Sequence, residues 1–139
     1  MTPAQMPAGD GELLALPVPA VLVTYRADGS AVSSPVWFRA TPSEVEVVIA
    51  RNDVKLRQLE RDPRCSLLVF ENQPPFRGVR FEGHARLRPD RDDQTRLAIA
   101  SRYLGHEMGS RFCVGRAPGV VLSVSRAGAR SWDLRAILP

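Results

Sequence analysis

The residues best able to do chemistry sit in Ile49-Ala50-Arg51-Asn52-Asp53-Val54-Lys55, where a strand pattern runs into a helix pattern. Two cations, Arg51 and Lys55, meet free N–H groups at a helix start, a combination suited to holding a phosphate. Read otherwise, the segment is a solvated turn whose cations pair with Asp53 or Glu60. Asp53 would oppose a phosphate unless it caps the helix. A second candidate is Ser33-Ser34-Pro35-Val36-Trp37-Phe38. Proline breaks the ladder there, leaving backbone groups able to read the edge of a flat heterocycle, with Trp37 as a wall. Phe38 reads as core, and Trp37 as either wall or packing. Trp132, close to the C-terminal end of the sequence, reads as an interface anchor.

No phosphate-binding glycine loop, nucleophile elbow or His/Cys ligand cluster is present. His84 lies on the polar face of a strand and reads as solvated or as part of a subunit face. His106 follows Leu104-Gly105, where an imidazole can bond the terminal carbonyls of a helix. Cys65 sits in an apolar run as a small buried hydrophobe. Cys113 lies far from it, and the two show no metal-ligand spacing.

These residues need elements to place them. Residues 1–11 read as a loose arm, and Asp10–Leu16 as a short helix stopped by Pro17 and Pro19. Period-two alternation over Val21–Tyr25 marks a strand, and Asp28-Gly29 a hairpin turn. The return strand, Ala31 to Arg39, must be an edge or bulge at Pro35. A third strand, Glu44–Ala50, places Val45, Val47 and Ile49 inward and Glu44 and Glu46 outward. A helix then starts at Asn52 or Asp53, carries Leu56 and Leu59 on one face, and ends at Asp62-Pro63. Cys65–Phe70 and a long alternation from Val79 to Arg88 are further strands, the latter stopped by Pro89. Asp92-Asp93 open a helix to Gly105. An irregular stretch leads to Pro118, then come strands Val120–Ser125 and Ala129–Leu134. Strands dominate and helices are short. One domain over residues 1–139, mainly β (α+β) and built as a closed or partly closed antiparallel barrel, is the expectation.

Composition narrows the function classes. The chain has 139 residues, 44% of them hydrophobic and 24% charged, with a net charge of +4. The basic residues are scattered and no nucleic-acid-binding motif appears, so nucleic acid is not expected as a partner. No apolar run is long enough to cross a bilayer and no signal-peptide pattern opens the chain, pointing away from membranes and toward the cytoplasm. Lys55 is the only lysine among 19 basic residues, so composition did not push it into place.

Tyr25-Arg26-Ala27-Asp28-Gly29-Ser30 leading to Ser34-Pro35-Val36-Trp37-Phe38 resembles the opening of the pyridoxamine 5′-phosphate oxidase-like superfamily. The lysine helix ending Leu59-Glu60-Arg61-Asp62-Pro63-Arg64 and the strand Val79–Ala85 resemble it too. Ser101-Arg102-Tyr103-Leu104-Gly105 and Ser131-Trp132-Asp133 are similar to its branch of deazaflavin-dependent reductases. The resemblance spans residues 12 to 134 and implies a split β-barrel homodimer with two cofactor sites at the subunit interface. It implies that Ser33, Ser34, Pro35, Val36 and Trp37 border the ring, and that Ala50, Arg51 and Lys55 hold the phosphate. Trp132, with Arg102 from a partner chain, would close the site. The implied chemistry is hydride transfer between coenzyme F-420 and a small organic substrate, with no obligatory protein acid or base. FMN is the alternative cofactor. Haem would need His84 or His106 as ligand. The competing class is a non-catalytic barrel that sequesters a planar ligand.

Overall fold

The computed structural model describes residues 10–139, so residues 1–9 of the arm expected over residues 1–11 lie outside the described residues. Asp10 and Gly11 belong to helix α1 (Asp10–Ala15), which presents Leu13 and Leu14 to the core. The remaining elements are strands β1 (Ala20–Tyr25), β2 (Ala31–Val36), β3 (Arg39–Ala40) and β4 (Glu44–Ala50), helix α2 (Val54–Arg61), then β5 (Arg64–Phe70), β6 (Gly78–His84) and β7 (Arg86–Pro89). A 3-10 turn (Arg91–Asp93), helices α3 (Gln94–Leu104) and α4 (His106–Cys113), and strands β8 (Gly119–Ser125) and β9 (Arg130–Trp132) complete the chain.

The strands form two antiparallel sheets, ordered β2-β1-β5-β6-β9 and β3-β4-β8-β7. The fold is therefore mainly β with a few short helices, and no ladder closes the expected barrel. Leu22, Leu67, Val69 and Phe81 of the first sheet and Val45, Val47, Ile49 and Leu122 of the second belong to one buried cluster. Burying each of these side chains contributes about 1.5–3 kcal/mol before chain entropy is counted.

Two runs expected as single strands each pass from one sheet to the other. The first breaks at Trp37-Phe38, between β2 and β3. The second breaks at Ala85, whose N–H leaves the ladder and donates to Pro63 O at 2.8 Å. An unbroken period-two pattern from Val79 to Arg88 hid the second corner. Pro35 lies on β2, an edge strand as expected, paired with Val21 on one side only.

Glu46 lies on the face of β4 opposite Val45 and Val47, as expected, but that face is covered at this point. It is buried, because Arg39 Nε (2.7 Å) and Arg88 Nη2 (2.9 Å) close over it with their aliphatic stems. Burial raises the pKa of its carboxyl, but the hydrogen bonds from Arg39 and Arg88 outweigh that and hold it below 4.5. The stretch expected to be irregular contains α4. Asp92-Asp93 lead into the helix before it as expected, and the Asp90 carboxylate accepts from Thr95 N and Arg96 N at 2.9 Å in its first turn. The last strand is shorter than expected, Arg130–Trp132 rather than Ala129–Leu134.

Candidate functional site

A cleft of about 980 Å³ opens between the β2 edge, the end of β4, and the helical pair α3–α4. Its base is Val48 and Ala50 of β4, and one wall is Pro35-Val36-Trp37. The other wall is a single face of α3, Arg96, Ile99, Ala100 and Tyr103, at the i, i+3, i+4, i+7 spacing of one helix stripe. Phe112 of α4 and the turn Gly115-Arg116-Ala117 close the open end.

The aromatic residues form a stack. Trp37 lies on Tyr103 with centroids 5.0 Å apart and planes 11° apart, and Phe112 tilts against Trp37 at 5.1 Å. Offset stacking suits the ring quadrupoles and presents a rigid apolar surface. Tyr103 is tied at its far end. Its hydroxyl donates to Val18 O at 2.9 Å and accepts from Phe38 N at 3.4 Å. Burial raises the hydroxyl's pKa, so it stays protonated at neutral pH. Beside it, Arg102 donates to Phe38 O and, at 3.0 Å, to Leu14 O and Leu16 O. These bonds fix the β2–β3 corner that carries Trp37.

Close backbone approaches set the opposite wall. A Cβ on Gly109 would stand 2.7 Å from Ser101 Oγ and 2.9 Å from Ser101 N, so glycine lets α4 lie directly on α3. Gly119 plays the same part at the base, where a Cβ would meet Val48 Cγ1 at 2.7 Å.

Charge gathers where β4 enters α2. Asp53 caps α2, its Oδ1 accepting from Lys55 N at 2.9 Å, and its Oδ2 holds Lys55 Nζ at 2.8 Å. Burial pushes the Asp53 carboxyl up, yet the bonds from Lys55 bring it to a net lowered value, so it is ionised at neutral pH. The lysine is thus paired with Asp53, as in the second reading of the segment, and Asp53 also caps the helix.

Of the residues singled out in the sequence, Pro35, Val36, Trp37, Ala50 and Lys55 come together in the cleft. Ser33 and Ser34 lie along β2, outside its walls, and Arg51 is exposed beside it. Arg102 is engaged by carbonyls of its own chain. Trp132 lies over Gly78 on the far edge of the five-stranded sheet, 38% exposed. His84 and His106 are exposed and neither lines the cleft. Sequence reasoning missed Arg96, Ile99, Phe112 and Arg116 as cleft residues. The helical spacing from Arg96 to Tyr103 was the signal available for the first two.

The sequence profile of the pyridoxamine 5′-phosphate oxidase family matches residues 11–132, nearly the whole described chain. The chain belongs to the pyridoxamine 5′-phosphate oxidase family. Among solved structures, a conserved hypothetical protein of Mycobacterium tuberculosis is 25% identical, with a TM-score of 0.76 over 100% of this chain and 92% of its own. An F-420 reductase is 20% identical, with a TM-score of 0.67 over 90% of this chain and 98% of its own. The haem storage protein HutZ of Vibrio cholerae is 17% identical, with a TM-score of 0.65 over 86% and 89%. The comparison with curated proteins found no match. Proteins of this one fold thus differ in ligand.

Proposed function

We propose that the cleft binds a flavin-type cofactor, coenzyme F-420 in the leading reading, and that the protein is a reductase acting on a small organic substrate. The observation that carries this is the Tyr103–Trp37–Phe112 stack, with Trp37 at its centre, walling a cleft large enough for a tricyclic ring and lined by cationic side chains. The donor set suits such a molecule: flat apolar faces for a ring, and Lys55 with the start of α2 for an acidic tail. Bound there, the cofactor would supply hydride-transfer chemistry that no side chain of the cleft provides.

The chain's own part is then positional. Trp37 borders the cleft, and the unpaired side of the β2 edge offers backbone groups to the ligand's rim. Tyr103 holds Trp37 from behind and keeps its proton. FMN fits the same donors and is the alternative cofactor. The exposed positions of His84 and His106, away from the cleft, argue against haem. The Asp53–Lys55 pair is what favours the other class, a non-catalytic barrel with a weakened hold on its ligand.

The same reading makes the two sheets a split barrel that pairs with a second, cytoplasmic copy. On the outer face of the five-stranded sheet, Val21, Val23, Leu68 and Phe70 stay only half-buried in the single chain, which supports this. Trp37 and Trp132 are the only tryptophans, so Trp132→Phe leaves Trp37 as sole reporter. Titrating that variant with F-420 and FMN should quench Trp37 emission saturably with one of them. Unchanged emission with both would sink the assignment.

A further inference from the structure

We infer that Arg116 receives the acidic group of the ligand, so that the cleft selects a planar ring carrying a phosphate or carboxylate over the same ring without one. This rests on the ligand reading above. Three basic side chains line the cleft, Lys55, Arg96 and Arg116. Lys55 Nζ is held by Asp53 at 2.8 Å, and the buried Arg96 by Asp93 at 3.0 Å. Each pair brings no net charge to a ligand. Arg116 has no carboxylate partner among the described residues and supplies the cleft's unbalanced positive charge.

Arg116 is also oriented. Its Nε donates to Phe112 O, and its guanidinium lies over the Phe112 ring, 3.6 Å from the centroid. The stack fixes the plane of the guanidinium and leaves both terminal nitrogens for a bidentate acid group. The turn that carries it is fastened to the Lys55 end of the cleft. Arg51 N donates to Pro118 O at 2.8 Å, and Gly119 pairs with Ala50. Arg116 thus comes from a different element to serve the region that begins α2. With Asp53 already neutralised by Lys55, the acidic substituent of a ring held in the cleft would find its uncompensated cation in this guanidinium.

The test compares two ligands that differ only in the acid group: FMN against riboflavin, or F-420 against its ring system without the phosphate, whichever ring the wild type binds. Arg116→Gln should weaken the acid-bearing ligand by about tenfold or more and leave the neutral one within about twofold. Asp53→Asn, which keeps a capping oxygen and frees Lys55, should recover binding when added to Arg116→Gln. Equal loss for both ligands, no loss for either, or no recovery would overturn the inference. If the wild type binds neither cofactor, the flavin reading fails by itself and inorganic pyrophosphate becomes the probe. Pyrophosphate binding that Arg116→Gln abolishes would still uphold the role of Arg116, whereas equal binding, or none to the wild type, would refute it.

Discussion

On the proposed function, retention of the cofactor turns most simply on Lys55. Its ammonium already neutralises Asp53, so removing it both deletes a cation and exposes a carboxylate to the ligand's acidic tail. Lys55→Ala should raise the cofactor's dissociation constant by more than about tenfold, and an unchanged constant would remove Lys55 from the site. Glu46 sets an acid limit on stability. Its folded pKa lies below 4.5, so its contribution is complete above that pH and is lost as pH falls through the lower folded value. Urea unfolding should therefore weaken on acidification below pH 4.5, and Glu46→Gln should flatten that dependence while lowering stability near neutral pH. A wild type and variant with parallel pH profiles would show that the arginines, not the charge, hold this strand.

At the scale of elements, the corner between β2 and β3 and the α3–α4 contact place the aromatic stack. Arg102 bonds three carbonyls there, so Arg102→Ala should cost about 2–3 kcal/mol in urea unfolding and blur ligand binding through Trp37. Gly109→Ala forces α4 off Ser101 and should cost about 1–3 kcal/mol, displacing Phe112 as it does so. If Gly109→Ala leaves stability and binding intact, α4 does not position the site. Most elements were legible because their periods are local: β1, β4, α2 with its Asp53 cap, and the edge position of Pro35 follow from a few neighbouring residues. What stayed hidden depends on distant partners. Arg39 and Arg88 bury Glu46, Pro63 draws Ala85 out of its strand, and the Ser101–Gly109 approach makes a helix of a stretch that reads as irregular. The cleft was half legible for the same reason, since Phe112 and Arg116 reach it only through the packing of α4.

At the scale of the molecule, the proposed pairing with a second copy of the chain draws support from the half-buried apolar face of the five-stranded sheet and the exposed Trp132. Leu68→Arg, at the middle of that face beside Val21, should shift sedimentation from dimer to monomer. A wild type that sediments as a monomer at every concentration would leave the cleft to act within one chain. The family sets the fold, but relatives with different ligands mean that the identity of the cofactor carries the functional claim. Titration of the wild-type protein with F-420 and, separately, FMN, followed by the visible absorbance of the ring, tests that claim most directly. Saturable binding of one of them at roughly 10 μM or tighter is expected if that claim holds. No spectral change with either would contradict it.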